Sequence, residues 1–91
     1  MPRYFFDLYN DMTALDPEGK ELPDLDAAKE HVLSEVREMI VASIQDFGHI
    51  DLHHHIDVRE ESGAVVYVMH FEDAVTVRRA HQILSQPSVA V

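Results

Sequence analysis

Apolar and polar positions alternate from Tyr4 to Tyr9, with Tyr4, Phe6 and Leu8 on one side and Phe5, Asp7 and Tyr9 on the other. A period of two with aromatic enrichment predicts a half-buried β-strand. Asn10-Asp11 reads as a turn, and Met12 to Leu15 as a short extended piece ahead of the turn-forming run Asp16-Pro17-Glu18-Gly19. The period then changes. Ala28, Val32, Leu33, Val36, Met39, Ile40, Ile44 and Phe47 recur at helical spacing, with Ser43 as a small member of the same stripe. They predict a helix from about Asp26 to Phe47, capped by Asp24 or Asp26 at its positive end and by Gly48 in a left-handed conformation at the other.

Two further strands are predicted, Leu52 to Arg59 and Val65 to Phe71, joined at Glu60-Glu61-Ser62-Gly63-Ala64. A two-residue turn at Ser62-Gly63 sets the register. It puts His54, Ile56 and Val58 on one face with Tyr67, Met69 and Phe71, the more apolar set and hence the core face. His53, His55, Asp57 and Arg59 share the opposite face with Val66, Val68 and His70. Ala74 to Ser85 predicts a second, short helix with Asp73 as its cap, and residues 87–91 a flexible C-terminal tail. Residues 1–86 then form a single α+β domain. It has a small, mainly antiparallel sheet of three or four strands, one long helix on one face and a short C-terminal helix. A right-handed crossover would set the first strand beside the last hairpin strand.

Three stretches carry a resemblance: the opening Met1-Pro2-Arg3-Tyr4-Phe5-Phe6, the run from Asp16-Pro17-Glu18-Gly19 to Leu22-Pro23-Asp24-Leu25, and Phe71-Glu72-Asp73-Ala74-Val75. Together they resemble a family of short bacterial proteins of unknown function, common in rhizobia and related alphaproteobacteria. The resemblance covers residues 1 to 75. It implies a bacterial cytosolic origin and a strand–helix–hairpin domain, and no activity. The triple histidine and the extension beyond Val75 depart from the family's usual pattern. A weaker likeness, to HicB-type antitoxins, rests on a leading strand and an acidic Leu-Pro approach to a helix. It lacks that family's Gly-Cys motif.

Charge narrows the partners. The 91 residues include 17 acidic and 7 basic side chains, a formal net charge of −10. Such a surface repels phosphate backbones and anionic lipid, which argues against nucleic-acid and membrane partners. Protonating the seven histidines would remove most of that excess. The absence of cysteine excludes disulfides, thiolate metal sites and cysteine nucleophiles. Asp7 interrupts the N-terminal apolar run, so it does not read as a signal peptide, and the expected location is cytoplasmic. No serine sits in a nucleophile elbow, and the glycines occur singly at turns rather than in a phosphate-cradling loop. The expectation is a protein that is not an enzyme.

His53-His54-His55 is the unusual local feature. On a strand, His53 and His55 point the same way, roughly 7 Å apart. Across the hairpin His55 faces His70, so His53, His55 and His70 could offer three imidazoles to zinc or nickel, with Asp57 orienting one of them. A three-residue turn would put His54 opposite His70 instead. The plainer alternative is a solvated histidine patch. Phe5, Tyr9, Val66 and Val68 leave apolar area on the sheet face away from the helix, and a second copy of the chain would cover it. The leading functional expectation is therefore a non-catalytic, self-associating protein-interaction module, a homodimer with a further protein partner. The alternative is a small metal- or ligand-binding protein, and an antitoxin-like regulator comes third.

Overall fold

The computed structural model describes residues 1–79. Strand β1 (Arg3–Tyr9) is followed by two short strands, β2 (Thr13–Ala14) and β3 (Lys20–Glu21), then by the helix α1 (Leu25–Phe47). The hairpin strands β4 (His55–Glu60) and β5 (Val65–His70) complete the sheet, and a 3₁₀ turn (Phe71–Asp73) follows. The fold is α+β, an antiparallel sheet with one long helix across one face, as the periodicity predicts.

The helix forms where its signals place it. Asp24 is the N-cap, its Oδ1 accepting the Ala27 N–H at 2.9 Å, a contact worth about 1 kcal/mol. Gly48 closes the other end at φ 72°, its N–H donating to the Ile44 carbonyl, because a residue without Cβ enters the left-handed region at little cost. Ala28, Val32, Val36 and Ile40 are buried on the sheet. They meet Tyr4 and Phe6 of β1, Ile56 and Val58 of β4, Met69 of β5, and Phe71 and Ala74 beyond it. The stripe continues to Phe47, but the sheet does not extend under it. Ile44 is 49% exposed and Phe47 72%. At 23 residues the helix is roughly 35 Å long, longer than the strands beneath it, and its last turns overhang.

The sheet order is β2-β1-β4-β5, with β3 also pairing with β1. The first strand thus lies beside the first hairpin strand, not the last. The chain leaves β3 opposite Arg3 and Tyr4, and α1 carries it once across the sheet to the far end of β1. There β4 enters with His55 opposite Tyr9 and runs antiparallel to β1, so the crossover through α1 ends beside the first strand and the hairpin then adds β5 outside β4.

The hairpin turn also differs from expectation. The Glu60 N–H donates to the Ala64 carbonyl and the Gly63 N–H to Glu60, so the turn has three residues, Glu61, Ser62 and Gly63, rather than two. A bulge compensates. Val58 lies opposite Tyr67 but Arg59 opposite Val65, which leaves Val66 as the extra residue. Past the bulge the register is that of the shorter turn, with His55 opposite His70. The bulge moves Val66 off the outer face and packs it against the core. Val66 is therefore not part of the exposed apolar surface that strict alternation assigned to it. The short helix expected from Ala74 to Ser85 is not seen over residues 74–79; the described residues hold the Phe71–Asp73 turn instead. Arg37 Nε donates to the Ala74 carbonyl at 2.7 Å, tying the segment after that turn to α1. Residues 80–85 of the expected helix and the expected tail 87–91 lie outside the described residues.

The turn-forming run Asp16-Pro17-Glu18-Gly19 runs along the outer edge of β1, between β2 and β3. At Gly19 φ is 70°, and a Cβ there would stand 2.8 Å from both the Tyr4 carbonyl oxygen and a Phe5 ring carbon. Gly48 has the same backbone sign with open space around it. Gly48→Ala should therefore lose only the left-handed penalty, about 1–2 kcal/mol, and Gly19→Ala distinctly more. Urea unfolding of both variants measures this, and equal losses would contradict the packing at Gly19.

Candidate functional site

Polar chemistry collects in two places, the outer face of the sheet and the end of the sheet beneath the overhanging helix. On the outer face Asp7 is only 2% exposed. Arg59 grips it with both arms of its guanidinium, Nε to Oδ2 at 2.7 Å and Nη2 to Oδ1 at 3.2 Å. The Asp16 N–H donates to the same carboxylate at 2.9 Å. Arg59 also lies over the Phe5 ring, 4.7 Å from its centroid.

Asp16 is a second node. Its Oδ2 accepts the Phe6 N–H at 3.1 Å, and its Oδ1 accepts the N–H groups of Glu18 and Gly19. Between β2 and β3 no strand residue pairs with β1 at Phe6, and the Asp16 carboxylate takes that place in the ladder.

The Arg59 hydrogen bond is the main cause holding the Asp7 carboxyl below the usual carboxylate range; it outweighs the opposing cost of burial, and the Asp16 N–H adds to it. For Asp16, burial pushes upward, but the N–H groups of Gly19, Phe6 and Glu18 together outweigh it and the net shift is downward.

Further along this face Asp57 stands opposite Asp7, a like-charge pairing that destabilises unless each member has its own partner. Arg59 serves Asp7, and His55 Nε2 approaches Asp57 at 3.5 Å. His55 stacks on Tyr9 at 5.0 Å and lies 5.6 Å from the His70 ring. The expected pairing of His55 with His70 is thus present. His53 does not join them. The strand starts at His55, so the alternation assumed back to His53 fails, and the His53 ring packs edge-on against His54 at 4.5 Å. The metal set of His53, His55 and His70 is not assembled. Of the four apolar residues expected on this face, Phe5 lies beneath Arg59, Tyr9 beneath His55, Val68 is exposed and Val66 has moved to the core.

The second place is an open groove of about 460 Å³ between the C-terminal half of α1 and the end of the sheet. Leu8, Met39, Ile40, Phe47 and Phe71 form its apolar wall, and Asp11, Asp46, His49, Asp51 and His54 its polar one. The His54 side chain is 12% exposed and lies 3.9 Å from Asp11, too far for a hydrogen bond. Its Nε2 is fully buried and has no hydrogen-bond partner. Leaving such an atom unpaired costs about 1–3 kcal/mol. Asp11, His53 and His54 each bring one ligand-type atom within 4.8 Å of the others. Sequence reasoning missed Asp11 and set His54 on the core face. The signal available was the Asn10-Asp11 turn at the end of β1, and only the β1–β4 pairing brings that turn beside His54.

The family DUF6894, described as a domain of unknown function, matches residues 3–72. The chain belongs to it. The DUF6894 match takes in β1, the Asp16 run, α1, the hairpin and the start of the 3₁₀ turn, and so both polar sites. No match is found among curated proteins, nor among solved structures. No helix among the described residues of this DUF6894 chain is long and apolar enough to cross a membrane.

Both carboxyls, the buried Asp7 and the half-buried Asp16, bind protons more weakly in the fold than in the unfolded chain. Their stabilisation is thus complete above the ordinary carboxylate pKa, about 4, and is lost as pH falls through the depressed folded values. Urea midpoints measured from pH 7 to pH 2.5 should drop below pH 4, and Asp7→Asn should be less stable at pH 7 with a flatter acid limb. An acid limb unchanged by Asp7→Asn would contradict this assignment.

Proposed function

We propose that the protein is a non-catalytic, self-associating interaction module of the bacterial cytoplasm, and that β5 is the surface through which two copies meet. The observation behind this reading is the unguarded edge of the sheet. Among the described residues no strand pairs with the outer side of β5. Exposed edges usually carry lysine, proline, inward charge or a bulge that blocks further pairing; the β5 sequence Val65-Val66-Tyr67-Val68-Met69-His70 has none of the first three, and its bulge at Val66 lies at the turn end, leaving Val68 to His70 in regular register.

The ladder identifies the residues that face outward. The Phe71 N–H donates to the His54 carbonyl, so that pair is hydrogen-bonded, and by alternation so are Met69 with Ile56 and Tyr67 with Val58. Val68 and His70 therefore direct their backbone N–H and C=O groups away from β4. Two β5 strands related by a two-fold axis would satisfy these groups mutually and extend the sheet across both copies. Val65 and Val68, 51% and 36% exposed, would lie beside their symmetry mates on the outer face. The net charge of −10 favours a further partner that is neutral or basic.

Val68→Pro removes an outward N–H without breaking the ladder to β4. Light scattering of the 91-residue chain at about 50 µM should give a dimer mass, and Val68→Pro a monomer with an unchanged circular dichroism spectrum. A wild-type monomer, or a Val68→Pro dimer, would overturn the reading.

A further inference from the structure

We propose that Asp11, His53 and His54 form a binding site for a divalent cation of the zinc class. Three observations converge on it. First, these residues form the group of three among the described residues whose ligand-type atoms lie mutually within 4.8 Å. Two imidazoles and one carboxylate make a donor set suited to zinc. Second, the His54 Nε2 is buried and has no hydrogen-bond partner. Its ring is held by the T-shaped contact with Phe71 at 5.5 Å, so the unpaired nitrogen is held in place while its prospective partners, Asp11 and His53, are exposed. A metal ion at that nitrogen supplies what the protein does not.

Third, the site opens on the groove that Asp46, His49 and Asp51 also line. Asp46 and Asp51 give it a negative field that attracts a cation, and the open groove leaves a water-accessible fourth position. The separations ask for little rearrangement. Ligands around a tetrahedral zinc stand roughly 3.3 Å apart, as bond lengths near 2.0–2.1 Å require. Closing from 4.8 Å takes small rotations of Asp11, whose side chain is 89% exposed, and of the exposed His53. The His55–His70 pair lacks this arrangement. His55 is engaged by Tyr9 and Asp57, and no third donor joins it in such a group among the described residues.

The probe is Zn²⁺ alone, titrated into the metal-free 91-residue chain by calorimetry at pH 7.5, with Mg²⁺ as the hard-cation control. One Zn²⁺ per chain is expected, with no Mg²⁺ binding. Asp11→Asn and His53→Ala, both at exposed positions that leave the core intact, should weaken binding about tenfold or more, and His70→Ala should leave it unchanged. An absence of stoichiometric Zn²⁺ binding would overturn the proposal. So would binding indifferent to Asp11 and His53, or binding that depends on His70.

Discussion

A single buried carboxylate organises the sheet. Asp7 sits in the middle of β1 on the face away from the helix, where an unpaired charge would be intolerable. Two segments distant in sequence converge to satisfy it, Arg59 from β4 and the Asp16 backbone from the edge run, while the neighbouring Phe5 ring of β1 underlies Arg59. The consequence reaches past one ion pair. Holding Asp16 against Asp7 also places the Asp16 carboxylate on the Phe6 N–H, so the edge of β1 is closed where neither short strand reaches. Gly19 then returns the chain tightly enough to pair Lys20 with Tyr4. The Asp-Pro-Glu-Gly run is a clamp on the first strand as well as a turn.

With that edge closed, the sheet is asymmetric. One side is sealed by β2, Asp16 and β3; the other is β5, whose outward N–H and C=O groups belong to Val68 and His70. Among the described residues β5 is thus the edge that no strand covers. The end of the sheet is a separate matter. There α1 runs on beyond the strands, and its overhang makes a groove lined by Leu8 of β1, by His54 just before β4 and by Phe71 just after β5. The open β5 edge and the histidine-aspartate groove are thus separate features of one architecture.

Much of this architecture is legible in the chain. Helical spacing from Ala28 to Ile40, Asp24 and Gly48 at the ends, and alternation in β1 each report local backbone preferences, and each forms as read. The misreadings share one cause: they depend on how elements meet. The bulge at Val66 is invisible to alternation because it trades a longer turn for a restored register. The placement of β1 beside β4 follows from where one pass of α1 delivers the chain. His53 leaves the strand pattern because β4 begins two residues later, and Asp11 reaches His54 only through tertiary pairing. Asp7 is the instructive case, since an acid among aromatics reads as an outward residue of a half-buried strand. Its burial becomes intelligible only when Arg59, diagonal to it across the sheet, is seen to cover it.

The decisive measurement is a double-mutant cycle on Asp7 and Arg59, using Asp7→Asn, Arg59→Met and the double variant in urea unfolding at pH 7. Either single change leaves the other group stranded, so the double variant should be far less unstable than the summed losses, with a coupling of about 1–3 kcal/mol. Additive losses would contradict the account, because they would mean that the buried carboxylate and the arginine over it act independently.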